Sequence, residues 1–130
     1  MSYSKLASIL SEKSIVIEQK EMRNIANNNY LICSVLKTYP DHLIGSASLI
    51  YMNLPQGSRF LLESVVVDNN YRNLGIGKSI IQTALSIVKE NGGTHLNLTC
   101  NPSRYDAHNL YTSIGFVEAN TSVLRYYIKP

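Results

Sequence analysis

The sequence predicts an α+β fold: a mixed, twisted sheet of six or seven strands flanked by helices on both faces. Three observations lead there. First, residues 30–37, 43–52 and 60–67 are β-type runs rich in Leu, Ile, Val and Tyr. The turn sequences Tyr39-Pro40-Asp41-His42 and Leu54-Pro55-Gln56-Gly57 separate them, so the three form an antiparallel meander. Second, the last run contains Val65-Val66-Val67, apolar at consecutive positions, as in a central strand covered on both sides. Third, helical and strand periodicities alternate from there on, giving a β–α–β–α–β–β half.

In chain order, Ser4 is a candidate N-cap for a helix over 4–12, with Leu6, Ala7, Ile9 and Leu10 on one side. Ile15-Val16-Ile17 fits a short strand or a turn. Residues 20–26 read as a helix stopped by Asn27-Asn28-Asn29. After the meander, residues 77–90 form a helix with Ile76, Ile80, Ile81, Ala84, Leu85 and Val88 at helical spacing, ended by Gly92-Gly93. Residues 95–100 alternate Leu96, Leu98 and Cys100, a short strand expected to lie parallel to 60–67. Residues 104–114 form a second helix with Ala107, Leu110, Tyr111 and Ile114 on one face, terminated by Gly115. Residues 116–118 and 123–128 are the closing strands. No internal repeat or linker interrupts the chain, and its 130 residues form a single domain, 1–130.

Composition narrows the function classes. Apolar residues make up 45% and charged residues 16%, the balance of a soluble globular domain. No apolar stretch approaches the roughly 18–20 residues of a membrane span, and the N-terminal residues do not form a signal peptide. Cys33 and Cys100 show no disulfide or metal spacing, so they read as reduced thiols in a cytoplasmic compartment. His42, His95 and His108 form no metal-spaced cluster. The net charge of +3 comes from scattered Lys and Arg, without the clustered basic stripe of a nucleic-acid binder. It fits an acidic small ligand.

The informative stretch is 61–91: an apolar strand, a polar turn, two glycines, then a helix. Backbone N–H groups at a helix start have no intrahelical partner and sit at the positive end of the dipole, so this order builds an anion cradle. Three glycine-loop chemistries compete. The dinucleotide pattern G-x-G-x-x-G would need glycine where Ile80 stands. The nucleotide-hydrolase pattern matches at Gly77-Lys78-Ser79, but its first glycine would replace Arg72. The third pattern, R/Q-x-x-G-x-G/A, is present as Arg72-Asn73-Leu74-Gly75-Ile76-Gly77. A second motif lies downstream: Ala107, Leu110, Tyr111, Gly115 and Phe116 fit A-x-x-(L/F)-Y-x-x-x-G-(F/Y). With both motifs in order, residues 30–128 resemble the GNAT superfamily of acetyl-CoA-dependent N-acetyltransferases.

The resemblance implies acetyl-CoA as cosubstrate and direct acetyl transfer to an amine. The loop residues Arg72, Asn73, Leu74, Gly75, Ile76, Gly77 and Lys78 would hold the pyrophosphate. The strand would splay from its neighbour so that backbone groups of Val65, Val66 and Val67 bind the pantetheine arm, with the Val65 N–H facing the thioester oxygen. Asn101 would hydrogen-bond the cofactor. Amine attack needs a proton acceptor, and sulfur departure needs a donor. Glu63 is the candidate base; period 2 puts it on the same face as Val65. Tyr111 is the candidate acid. Ser64, His95, Arg104 and Arg125 are candidate acceptor-binding residues, the cations suiting a phosphorylated amine. Two subgroups come nearest: glucosamine-6-phosphate N-acetyltransferase and aminoalkylphosphonate N-acetyltransferase. A peptide or protein acceptor, and a non-catalytic acetyl-CoA-binding module on the same fold, stay open. No metal is expected. The resemblance also implies a homodimer, and a first strand followed by two helices; this chain starts with a helix and offers only Ile15-Val16-Ile17 as that strand.

Overall fold

The computed structural model describes residues 17–24, 29–36 and 43–130. The chain divides into two compact units, Met1–Thr99 and Cys100–Pro130. The expected helix over 4–12, Ile15-Val16, Asn27-Asn28 and the turn at Tyr39-Pro40-Asp41-His42 lie outside the described residues.

The first unit carries a sheet of four strands in the order β1-β2-β3-β4, each antiparallel to its neighbour. They are β1 (Ile17–Asn24), β2 (Asn29–Leu36), β3 (Leu43–Leu54) and β4 (Gly57–Val67). The meander expected from three runs therefore has a fourth member. Residues 20–24 of the expected helix over 20–26 belong instead to β1, which pairs with β2 from Ile17 opposite Leu36 to Asn24 opposite Asn29, and 25–26 lie outside the described residues. Its sequence, IEQKEMRN, favours a helix residue by residue. Pairing along β2 overrides that preference, and a charge-rich strand suits a sheet edge because it discourages further pairing. Four residues join β1 to β2, too few for the two helices that the resemblance places there.

Helix α1 (Ile76–Glu90) packs across β2, β3 and β4. Its buried stripe is Ile76, Ile80, Ile81, Ala84, Ile87 and Val88; Ile87, not Leu85, completes the helical spacing. On the sheet, Ala47, Leu49, Phe60 and Leu62 are buried, with Leu49 paired to Leu62 and Tyr51 to Phe60. Two glycines permit the close fit. A Cβ on Gly45 would lie 3.1 Å from both Ile76 and Ile80, and one on Gly93 would lie 2.6 Å from Val88 and 2.7 Å from Phe60. From Gly45 to Leu49 the odd positions of β3 thus face α1, and Ser46 and Ser48 lie on the opposite face.

Residues 95–100 join the sheet through a single parallel bridge, Leu61 with Asn97. Its direction is the expected one, but the segment does not extend into a strand. In the second unit, α2 (Tyr105–Ile114) ends at Gly115, whose φ of 123° suits glycine. Residues 116–118 and 123–128 form no strand. A strand needs a partner edge as well as β-type residues, and within 100–130 these runs have none; Val117, Leu124 and Ile128 are exposed.

Candidate functional site

The pieces that matter in the first unit lie at the end of β4. The β3–β4 register runs evenly from Leu54 opposite Gly57 to Ser48 opposite Glu63, then slips, so that Ser46 lies opposite Val66 and Gly45 opposite Val67. Two steps on β3 correspond to three on β4, which is a β-bulge at Ser64-Val65. Ser64 carries the strain, with φ at +56°, a region costly for a non-glycine residue.

The bulge corrects two expectations. Period 2 puts Glu63 and Val65 on one face, but the extra residue breaks the phase. Glu63, opposite Ser48, now shares its face with Val66, opposite Ser46, on the side away from α1. The valine triplet is also not a core covered on both sides: Val66 is 58% exposed, while Val65 and Val67 are half-buried.

The other edge of β4 opens at the same place. The Leu62 N–H donates to the Asn97 carbonyl at 2.9 Å, and the Asn97 N–H to the Phe60 carbonyl at 3.1 Å. Among the described residues no further backbone hydrogen bond joins β4 to 95–100. Pairing therefore stops one residue before Glu63, and the edge from Glu63 to Val67 is left without a strand partner there. Glu63 and Ser64 are both exposed.

Beyond Val67 the chain turns tightly. Asp68 accepts the Asn70 N–H at 2.9 Å and starts a single 3₁₀ turn, Asn69–Tyr71. The Arg72 Nε–H donates to the Val67 carbonyl at 3.4 Å, so this side chain lies back along the strand end. Asn73 and Gly75 then take positive φ values, 63° and 80°, and Gly75 caps α1. No side chain caps this helix start and no acidic residue occupies its first turn; the first helical bond runs from the Ser79 N–H to the Gly75 carbonyl at 2.9 Å. The N–H groups of Ile76, Gly77 and Lys78 precede that bond, so they have no intrahelical acceptor. Leu74 and Ile76 are buried and anchor the loop to the core, so only their backbones are offered to a ligand. Arg72, Asn73, Gly75 and Lys78 are exposed. The loop thus presents N–H donors and cations without a competing carboxylate, the donor set that fits a pyrophosphate.

His95 does not join Glu63. With Asn97 beside Leu61 in parallel, His95 falls level with Arg59, four residues before Glu63 and about 13 Å back along the strand. Its ring Nδ1 is 2.9 Å from the Thr94 hydroxyl.

The second unit holds the remaining candidates. Asn101 opens a turn: its Oδ1 accepts from the Ser103 N–H at 3.0 Å and the Ser103 hydroxyl at 2.8 Å, and its carbonyl accepts from the Arg104 N–H at 2.9 Å. Arg104 caps α2 and is exposed. Tyr111 sits half-buried on α2 with its ring edge-on to Phe116, the centroids 5.7 Å apart. Burial pushes its phenol above the usual tyrosine value; the nearby Cys100 adds to this, and the Arg104 guanidinium opposes it. Arg125 is exposed and lies over the Tyr127 ring at 5.9 Å. Among the described residues no cluster of His, Cys, Asp or Glu could hold a metal ion, and no helix is long and apolar enough to cross a membrane.

Sequence reasoning missed the bulge, Asn97 and Ser103. The bulge did leave a trace: the apolar positions of β4 switch from even numbers, Phe60 and Leu62, to odd ones, Val65 and Val67. Asn97 acts through its backbone and Ser103 through a turn, and neither leaves a compositional mark.

β4 is bulged at Ser64-Val65 and runs through a tight turn into a helix capped by Gly75. Residues 5–116 match the model of the acetyltransferase (GNAT) family, and the chain belongs to that family. A probable glucosamine 6-phosphate N-acetyltransferase of Drosophila melanogaster is 29% identical over 108 residues, covering 78% of this chain and 48% of the relative. The chain thus spans about half the length of that relative. An aminoglycoside acetyltransferase from an uncultured soil metagenomic sample, solved with sisomicin, has a similar fold, with a TM-score of 0.70 at 14% identity over 100% of this chain and 93% of its own. Glucosamine-6-phosphate N-acetyltransferase from Arabidopsis thaliana superposes with a TM-score of 0.66 at 14% identity, over 96% of this chain and 76% of its own.

Proposed function

We propose that this chain is an acetyl-CoA-dependent N-acetyltransferase that acts in a ternary complex on a small primary amine, an amino-sugar phosphate such as glucosamine 6-phosphate. The observation that carries the reading is the coincidence on β4 of the bulge, the end of pairing with 95–100 and the donor-rich loop. An unpaired strand edge suits an extended amide-bearing arm, and the loop after it suits a pyrophosphate.

Acetyl-CoA supplies an activated thioester whose carbon–sulfur bond breaks as the carbon–nitrogen bond forms. The chain supplies proton handling and charge stabilisation. Glu63 takes the proton that the amine loses, directly or through water. The Val65 N–H stabilises negative charge on the carbonyl oxygen. Tyr111 returns a proton to the departing sulfur, and its raised affinity for that proton extends the donor form to higher pH than an ordinary tyrosine's. Asn101 holds the donor by its amide. Ser64, Arg104 and Arg125 contact the acceptor, the two arginines through its phosphate; His95 belongs to the same proposal, although it lies level with Arg59 rather than with Glu63. A homodimer in the cytoplasm completes the picture. Light scattering checks the dimer, expected at twice the chain's 14.5 kDa; a mass of one chain would refute it.

The choice of acceptor rests on the Drosophila relative's name and on the cationic candidates. The test is an amine panel with acetyl-CoA and thiol detection: glucosamine 6-phosphate, an aminoalkylphosphonate, an aminoglycoside, a polyamine and a lysine peptide. Glucosamine 6-phosphate is expected to give the highest kcat/KM. A better rate with another amine overturns the acceptor, and Glu63→Gln is expected to lower kcat about 100-fold or more while leaving acetyl-CoA affinity intact.

A further inference from the structure

The Asn101 turn shows an arrangement that neither motif contains. A carboxamide oxygen has two acceptor sites, and a carboxamide nitrogen has two donors. Both bonds to Asn101 Oδ1 come from one residue: the Ser103 backbone N–H at 3.0 Å and the Ser103 hydroxyl at 2.8 Å. The oxygen is thereby used up and the NH₂ is left as the exposed part of the side chain. The opposite orientation would set the NH₂ against a backbone N–H, which cannot accept. The Asn101 carbonyl is occupied too: it accepts from the Arg104 N–H at 2.9 Å and from the Cys100 thiol at 3.6 Å. A ligand reaching Asn101 therefore meets a donor in a fixed orientation. That is the complement of an amide carbonyl, and the pantetheine arm of acetyl-CoA carries two.

We propose that Ser103 is a positioning residue for the donor substrate: its hydroxyl fixes the Asn101 carboxamide so that its NH₂ meets a carbonyl of the pantetheine arm. This rests on the reading of Asn101 as a cofactor ligand. It also makes Ser103 a determinant of acetyl-CoA affinity with no contact of its own to the cofactor. Because the serine backbone N–H keeps one bond whatever the side chain, Ser103→Ala loosens the carboxamide and leaves the turn in place.

The test compares acetyl-CoA dissociation constants by calorimetry, with steady-state kinetics, for the wild type, Ser103→Ala, Ser103→Thr, Asn101→Ala, Asn101→Asp and the Ser103→Ala/Asn101→Ala double variant. Ser103→Ala is expected to raise both Kd and KM for acetyl-CoA about three- to tenfold, with kcat changed less than about twofold. Threonine, which keeps the hydroxyl, is expected to restore the wild-type value. Asn101→Asp, which keeps the Ser103 bonds and loses the NH₂, is expected to weaken binding as much as Asn101→Ala. In the double variant the serine change is expected to add nothing. If Ser103→Ala leaves Kd unchanged, or weakens binding equally in the Asn101→Ala background, the positioning role is overturned while Asn101 keeps its own. If neither Asn101 variant alters Kd, the reading of Asn101 falls and the proposal falls with it.

Discussion

Tyr111 is the residue whose surroundings say most about its chemistry. Three influences act on its phenol: burial and the Cys100 thiol raise its proton affinity, and Arg104 lowers it. The phenol donates only while neutral. With its value above the ordinary 10.0, the donor form persists past that pH, and activity is lost only as pH rises through the raised value. The alkaline limb of kcat is therefore expected above pH 10 and should vanish in Tyr111→Phe, whose rate falls about 100-fold or more. Cys100→Ser, which removes one raising influence, is expected to move the limb to lower pH; Arg104→Gln, which removes the opposing one, is expected to move it higher. Gly93 answers a different question at the same scale. Its absent Cβ is what lets Phe60 and Val88 close over each other. Gly93→Ala is expected to cost about 1–3 kcal/mol in urea unfolding; no change in the midpoint would mean that the two side chains give way freely.

At the scale of elements, β4 carries the account. One edge pairs with β3 on both sides of a bulge at Ser64-Val65, and the other meets residues 95–100 only around Leu61. A positive φ strains Ser64, so Ser64→Gly is expected to stabilise the fold or leave it unchanged, and Ser64→Val to destabilise it by about 1–2 kcal/mol. Thermal melts of the pair check this. If valine were tolerated as well as glycine, the bulge would not sit where the register puts it. The meander was legible because Leu, Ile and Val recur along β2, β3 and β4 between turn residues, and α1 because its apolar stripe is long. The glycine loop was legible from its spacing. β1 was not, since an edge strand made of Glu, Gln, Lys and Arg looks helical until its partner is known. The expected closing strands failed for the converse reason: β-type residues at 123–128 make a strand only against an edge. The roles proposed for Glu63 and Val65 come from their place in the motif, and the motif could not give their faces. One extra residue at the bulge reverses every side chain after it.

At the scale of the molecule, the sheet and α1 form one unit and the Asn101 turn with α2 forms the other. Glu63, Val65 and the loop belong to the first, and Tyr111, Asn101, Arg104 and Arg125 to the second. The proposed chemistry draws on both. The short β1–β2 connection distinguishes this chain from what its resemblance implied, and it removes the two helices expected between those strands. The central claim of the proposed function is a donor site for acetyl-CoA at the β4 edge and the loop that follows it. The most direct measurement is a calorimetric titration of the protein with acetyl-CoA, repeated with Gly75→Val, which puts a Cβ and a branched side chain where φ is +80° and an anion would approach. Saturable binding at one site per chain, weakened at least about tenfold by the substitution, is the predicted result. An absence of binding by the wild-type protein, or equal affinity in the variant, would contradict it.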